Sequence, residues 1–322
     1  VELVFTSKSV FEKVQEFRKS HKTKNLKIRS LPLFKLGLLS WSKAQHVYLT
    51  RYDFYPELLL LGLRAKKAGG SFNLLQASLL QKKRSLFNKV IYGLFDRIWA
   101  VSLKDQKRFS KLLGSSDHIM SYDFRNESIL KRVAHAESKL EQRKWWQGLK
   151  ERLQGASFTT MIMGSAYHDE LGDFWSSDLC KKMRENSLII IVPHKLDNES
   201  IESFRSVAGL EIIDDTQEFP RIGNLFVLSS KGVLLELYKY FDLAYIGGAK
   251  LRSVHSLLEP ALSGTKPYCH ERVLRSSEYE QLISLGHDPV IKSWEQIPFI
   301  SSSKIEFGDM IKAPYNDVLW RS

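Results

Sequence analysis

Residues 243–260 read LAYIGGAKLRSVHSLLEP. His255 and Glu259 stand four residues apart, so a helix would carry the imidazole and the carboxylate on one face. Gly247 and Gly248 end an apolar run just before them, where the backbone must turn sharply or approach something closely. Three other stretches have the same build. Gly164-Ser165 ends an apolar run, with Asp169-Glu170 shortly after. Pro193 stops another, followed by His194 and Lys195, a pair suited to a phosphate or carboxylate. Lys231-Gly232 precedes the amphipathic run VLLELYKYF, so that N–H groups at a helix start face an anion or a sugar hydroxyl. In the first stretch, Glu259 can accept hydrogen bonds from a ribose diol while neighbouring N–H groups take a phosphate.

Each stretch also has a purely structural reading. Ser165 can cap a strand-to-helix turn. His194-Lys195 can be an exposed loop, and Lys231-Gly232 a plain helix start. Ser256 with Glu259 three residues on matches a capping box in full, and one carboxylate cannot serve both a cap and a ligand well. Four such stretches within one half of the chain favour a nucleotide-type ligand over coincidence. Other chemistries find no motif. There is no G-x-G-x-x-G after a strand, no P-loop, no G-x-S-x-G and no H-E-x-x-H. His168-Asp169 is the one close His–carboxylate pair beside a strand end, and no metal is expected.

The elements that must position these groups alternate. Strand-like runs occur at 1–5, 46–50, 72–76, 97–102, 118–122, 158–164, 187–193, 210–214, 224–229, 243–248 and 266–270. Amphipathic stretches lie between them at 9–19, 56–67, 104–113, 146–153, 199–207 and 232–241. This alternation predicts an α/β protein with parallel sheets and helices on both faces. Eleven strands exceed one sheet of usual size, so two domains are expected. The charged, strand-free segment 124–145 marks the seam, with a first domain over 1–140 and a second over 141–322. In open parallel sheets, ligands bind beyond the carboxyl ends of the strands, where the four stretches lie.

The chain has 322 residues and two cysteines, Cys180 and Cys269. That excludes a disulfide framework and fits a reducing compartment. No run of eighteen apolar residues is present. The chain starts with Val1 inside an apolar run, so a preceding segment is expected, with room there for an anchor or a signal. Charge is uneven: residues 1–150 hold 30 basic and 12 acidic residues, a balance of +18, and residues 151–322 hold 18 and 24, a balance of −6. The basic half suits phosphates on an anionic membrane surface or a nucleic acid, or is simply a basic surface.

The order of these blocks resembles the Kdo (3-deoxy-D-manno-octulosonic acid) transferases of lipid A biosynthesis, which are GT-B glycosyltransferases. Gly164-Ser165-Ala166-Tyr167 stands for the family's G-S-T-H, and Pro193-His194-Lys195 for its P-R-H or P-H-E. Lys231-Gly232-Val233-Leu234 stands for M-G-E-L, with Tyr238 ending the helix. Gly247-Gly248-Ala249 and Val254-His255-Ser256-Leu257-Leu258-Glu259-Pro260 stand for G-G-S and G-H-N-P-L-E-P. In the first half, Arg51 to Leu58 (RYDFYPEL), Ala77-Ser78-Leu79 with Arg84-Ser85, and Asp123 with Arg125 resemble the acceptor-side segments more loosely. Lys195 for Glu or His, Val233 for Glu and Ser256 for Asn depart from the pattern.

The resemblance implies two Rossmann-like, doubly wound domains facing a central cleft. It implies CMP binding at Gly164, Ser165, Pro193 to Lys195, Lys231 to Val233, Gly247, Gly248 and His255 to Glu259. Arg51, Arg84, Asp123 and Arg125 fall on the acceptor side. The donor is CMP-Kdo and the acceptor a lipid A precursor, with no cofactor, no metal and no nucleic acid. Transfer is inverting, helix N-termini and a His or Lys stabilise the departing phosphate, and a carboxylate takes the acceptor's proton. The family's base lies upstream of the second strand, outside this chain; Asp53 is the acid nominated within it. The implied location is the cytoplasmic face of the bacterial inner membrane, peripheral or anchored by a segment outside the chain, with 31–41 (LPLFKLGLLSW) at the bilayer interface or in the core. The departures motivate two alternatives: a degenerate, non-catalytic nucleotide-binding homologue, and a GT-B transferase with another nucleotide sugar. Charge alone motivates a third, nucleic-acid binding, which no recognised motif supports.

Overall fold

The structure is a computed structural model. It describes residues 2–5, 27–30, 44–50, 55–79, 86–156, 158–250, 254–274 and 276–299. The chain forms two compact units, Val1–Asp123 and Phe124–Ser322.

In the first unit, β1 (Glu2–Phe5) pairs in parallel with β2 (Lys27–Ser30). Strands β3 (His46–Thr50), β4 (Ser71–Ala77), β5 (Arg97–Ala100) and β6 (Ile119–Ser121) form a parallel sheet in simple chain order. Helices α1 (Pro56–Lys67), α2 (Leu86–Tyr92) and α3 (Leu103–Leu113) link successive neighbours. Right-handed crossovers in one direction put all three helices on one face of the sheet. Contacts agree: Lys66 of α1 donates to the Leu94 carbonyl after α2 at 2.9 Å, and Tyr92 of α2 meets Phe109 of α3 with centroids 4.9 Å apart. Local chemistry sets the helix ends. Pro56 opens α1 and its last turn carries Arg64, Lys66 and Lys67 against the negative end of the dipole. Ser102 caps α3 by accepting from the Asp105 N–H, and Gly114 ends it in the left-handed region.

In the second unit, β7 (Thr159–Ala166), β8 (Ser187–Pro193), β9 (Glu211–Asp214), β10 (Leu225–Ser229), β11 (Leu243–Ile246) and β12 (Lys266–Tyr268) form one parallel sheet in the order 12-11-7-8-10-9. All seven residues of β8 are buried, so its unbroken apolar run reflects covered faces on both sides. Its alternate residues part accordingly: Ile190 and Val192 join one core cluster with Phe226 and Tyr238, and Ile189 and Ile191 join another with Val227 and Tyr245. The helices are α4 (Arg125–Ala134), α5 (Ala136–Leu140), α6 (Trp146–Gln154), α7 (Gly172–Ser176), α8 (Asp178–Asn186), α9 (Asn198–Glu202), α10 (Leu234–Tyr238), α11 (Leu258–Leu262) and α12 (Ser277–Ser284).

Every run read as a strand is one, and β2 adds a strand that periodicity did not single out. The stretch 199–207 splits into α9 and a 3₁₀ turn at Ser203–Ser206, and 232–241 shortens to α10. The stretches 9–19 and 31–41 lie outside the described residues. The division falls at 123/124, not at 140/141. Arg132 of α4 grips Glu236 of α10 through two nitrogens at 2.9–3.0 Å, and Lys139 of α5 reaches the same carboxylate at 2.9 Å. Glu236 is buried, so these bonds satisfy a desolvated charge and tie 125–140 to the second unit.

Candidate functional site

The strand order of the second sheet reverses between β7 and β11. From β7 the chain runs outward through β8 to β9 at the edge, fills the place between them with β10, then returns to the other side of β7 as β11. Crevices at such a reversal, beyond the carboxyl ends, hold ligands in open α/β sheets. The loops after β7, β8 and β11 meet here.

Backbone packing makes the junction. The Gly247 N–H donates to the Gly164 carbonyl at 2.9 Å. A Cβ on Gly247 would sit 2.3 Å from the Ser165 carbonyl oxygen, and one on Gly164 2.2 Å from the Tyr238 hydroxyl. Ser165 has φ 52 beside a bulge in β7, a conformation that a non-glycine residue adopts at a cost. Gly248 has φ +93, so the second glycine makes a left-handed turn. Its N–H does not face open space. The buried Glu170 carboxylate accepts it at 2.7 Å, together with the Lys250 N–H at 3.1 Å and the Tyr245 hydroxyl at 2.8 Å. Burial, then the neighbouring Glu170, push the Tyr245 phenol far above its ordinary range. Glu170 thus locks the loop after β11. Sequence reading noted it without giving it a role, because its three donors come from residues some eighty positions on.

Three rings converge on this junction. His194 stacks on His255 with centroids 4.3 Å apart and planes at 27°. Tyr167 lies 4.9 Å from His194 and 6.5 Å from His255. The loops hold the rings: the His194 N–H donates to the Ala166 carbonyl at 3.0 Å and the His255 N–H to the Gly247 carbonyl at 3.4 Å. His194 is exposed and His255 half-buried, so the cluster reaches solvent. Burial first, then the nearby His194, lower the His255 pKa below its ordinary 6.5, while Glu170 opposes them. At neutral pH His255 is therefore an uncharged imidazole. The cluster offers a flat face for a planar heterocycle and ring nitrogens for phosphate or hydroxyl groups. A cleft of about 370 Å³ adjoins it, lined by Tyr167, His168, Asp169, Pro193, Lys195 and Phe204 among others.

The turn before α11 differs from expectation. Glu278 of α12 occupies its N–H groups: one carboxylate oxygen accepts from Leu257 at 2.7 Å, Leu258 at 3.3 Å and the Ser256 hydroxyl at 3.2 Å. The other accepts from Arg125 at 2.5 Å. The N–H groups expected to take a phosphate thus hold a carboxylate of the chain itself. Ser256 does cap, accepting from the Glu259 N–H at 3.4 Å, but Glu278 closes the turn in place of Glu259. The Glu259 carboxylate accepts no hydrogen bond from the described residues. Burial raises its pKa against the pull of Arg132, and its charge helps raise the Tyr238 phenol. It remains an available acceptor beside Tyr238, whose hydroxyl touches Gly164.

The remaining predicted residues scatter. Lys231 and Gly232 are exposed beyond β10, at the same sheet edge. Their carbonyls accept from Arg143 at 3.4 Å and from Lys139 at 2.6 Å. Gly232 has φ +75 with open space where a Cβ would be, whereas Val233 is a core residue. Asp123 is buried. Arg125, expected on the acceptor side, belongs to the second unit and binds Glu278, because α4 packs there. Arg51, Asp53 and Arg84 lie outside the described residues. Tyr167 fell at the last position of the segment matched to G-S-T-H but was not among the residues assigned to CMP; an aromatic ring beside Gly164-Ser165 at a strand end was the signal available.

No protein-family model matches the chain, and no curated protein sequence matches it. Solved structures do. A protein from Listeria monocytogenes described as a UDP-N-acetylglucosamine 2-epimerase is 13% identical with a TM-score of 0.50, over 88% of this chain and 82% of that one. Anabaena Alr3699/HepE in complex with UDP is 11% identical with a TM-score of 0.48, over 87% and 74%. The C-terminal CMP-Kdo binding domain of WaaA from Acinetobacter baumannii is 14% identical with a TM-score of 0.36, over 53% and 86%. At these identities the likeness is one of fold, carried by the Listeria structure: the chain is an α/β protein of parallel sheets with a GT-B fold.

Proposed function

We propose that the chain is a glycosyltransferase that moves Kdo, or a related sugar acid, from CMP-Kdo to a lipid A precursor. The observation that carries the reading is the convergence of Tyr167, His194 and His255 where the second sheet reverses its strand order. The ring face takes the planar base, Glu259 accepts from the ribose diol, and the ring N–H groups with Lys195 take the phosphate. In the reaction an acceptor hydroxyl oxygen attacks the anomeric carbon, the bond from that carbon to the phosphate oxygen breaks, and CMP leaves. A carboxylate base takes the hydroxyl proton; no described residue is assigned that role. Donors aimed at the departing phosphate act where charge develops.

One observation favours a second reading, a nucleotide-binding homologue without turnover: Glu278 occupies the N–H groups of Leu257 and Leu258. Calorimetry with CMP, UMP, UDP and ADP, followed by turnover assays with CMP-Kdo, separates the two. Binding of CMP in preference to the others, with turnover, is the expected result. CMP binding without turnover selects the second reading, and a preference for UDP replaces Kdo transfer with another GT-B activity. His194→Ala and Glu259→Ala each lower turnover about a hundredfold; unchanged rates in both would remove the site assignment.

A further inference from the structure

The helical layer of the first unit has an outer face with an unusual composition. On α2, Leu86, Phe87 and Val90 are 80%, 70% and 58% exposed. Positions i, i+1 and i+4 lie within one side of a helix. On α1, Leu60 and Leu63 are exposed on the side that also carries Lys67. On α3, Leu103 is exposed with Lys107 and Lys111 following on the same side. The three helices share one face of the sheet, and the contacts of Lys66 with Leu94 and of Tyr92 with Phe109 join them edge to edge. Single exposed apolar residues are ordinary, but a cluster on one layer is not.

The charges on this face have one sign. Among the described residues, the exposed positions of α1, α2 and α3 include no Asp or Glu; Glu57 and Asp105 on these helices are both buried. Residues 1–123 as a whole hold 23 basic and 9 acidic residues, a balance of +14. A second copy of the same face would meet its own positive charge. A nucleic acid would satisfy the lysines but leave Leu86, Phe87 and Val90 in water. A surface that is both apolar and anionic satisfies both.

We propose that this helical face docks on an anionic lipid bilayer, with Leu86, Phe87 and Val90 entering the headgroup boundary and Lys67, Lys89, Lys107 and Lys111 facing the lipid phosphates. Long basic side chains bury their stems while keeping their charge at the surface, and such helices lie in the interface rather than cross it. No helix among the described residues is long and apolar enough to cross a membrane. The face lies within one unit, and the inference stands whether or not the donor reading of the other unit holds.

Co-sedimentation of the intact chain with lipid vesicles tests it. Vesicles of phosphatidylcholine mixed with phosphatidylglycerol are expected to retain the protein, and vesicles of phosphatidylcholine alone to retain much less. The Phe87→Ser/Val90→Ser double variant is expected to bind at least about tenfold more weakly. Lys107→Glu/Lys111→Glu removes two attractive charges, each contributing about fivefold, and leaves the apolar residues in place. All four positions are exposed, and an unchanged thermal midpoint shows that each variant is folded. No retention on anionic vesicles, or retention that neither variant weakens, would overturn the proposal. So would binding to duplex RNA or DNA without vesicle binding, or a dimer in solution that Phe87→Ser/Val90→Ser dissociates while vesicles stay unbound. CMP binding measured on the same samples is independent of this outcome.

Discussion

The junction of β7 with β11 and the turn after β10 both end strands of one sheet on glycine, for different reasons. At the junction, Gly247 is glycine because backbone packs on backbone and a Cβ would fall 2.3 Å from the Ser165 carbonyl oxygen. Its neighbour's N–H is taken by a buried carboxylate. At the turn, Gly232 is glycine because φ is +75, with nothing crowding it, and partly exposed cationic side chains hold the surrounding carbonyls. The first region is rigid scaffold that sets the two histidine rings. The second is open surface. A polar motif at a strand end is therefore no guide to which of its atoms meet a ligand.

The largest effect that sharpens this contrast is expected from Glu170→Ala. It strands the Gly248 and Lys250 N–H groups and the Tyr245 hydroxyl, at a cost of about 3–5 kcal/mol in urea unfolding. A loss under about 1 kcal/mol would show that the carboxylate does not lock the loop. Gly247→Ala follows, at about 2–3 kcal/mol, since the clash is with backbone that side-chain motion cannot relieve. Gly232→Ala is smaller, about 1 kcal/mol from the left-handed backbone alone. Equal losses in the two glycine variants would erase the distinction between the regions.

The pH dependence is a subtler probe. The folded pKa of His255 lies below its unfolded value of 6.5, so the unfolded chain binds more protons between the two values. Its contribution is fully present at neutral pH and lost as pH falls through 6.5 toward the folded value. Glu259 has the opposite sign. Its folded pKa is raised above 4.5, so the folded state takes up the proton first and stability is gained as pH falls through the raised value. Thermal midpoints across this range should lose part of their acid-side decline in His255→Gln and part of their opposing gain in Glu259→Gln. A His255→Gln profile parallel to that of the parent would mean that the ring is not held neutral by its surroundings.

Much of the fold was legible in short-range pattern. The runs at 46–50 and 187–193 and the helix at 56–67 have the bounds expected, because apolar periodicity and flanking turn residues act locally. Helix α2 was not legible, since an exposed apolar face blurs its period, and α4 lay in a charged stretch whose partners, Glu236 of α10 and Glu278 of α12, come near only on folding. At the junction, His194 and His255 were both candidates on sequence grounds, and their rings meet. Their stacking with Tyr167 was not foreseeable, and neither was the capture of the α11 turn by Glu278, which lies 22 residues from Ser256.

The order of elements and the candidate strand ends followed from sequence alone, because periods of 2 and 3.6 and the backbone limits of Gly and Pro are properties of neighbouring residues. Which carboxylate would be consumed by the scaffold and which left for a ligand was decided only in three dimensions. Glu170, Glu259 and Glu278 have the same chemistry, and only the N–H groups and arginines that folding brings within 3 Å of each distinguish a lock, an available acceptor and a cap.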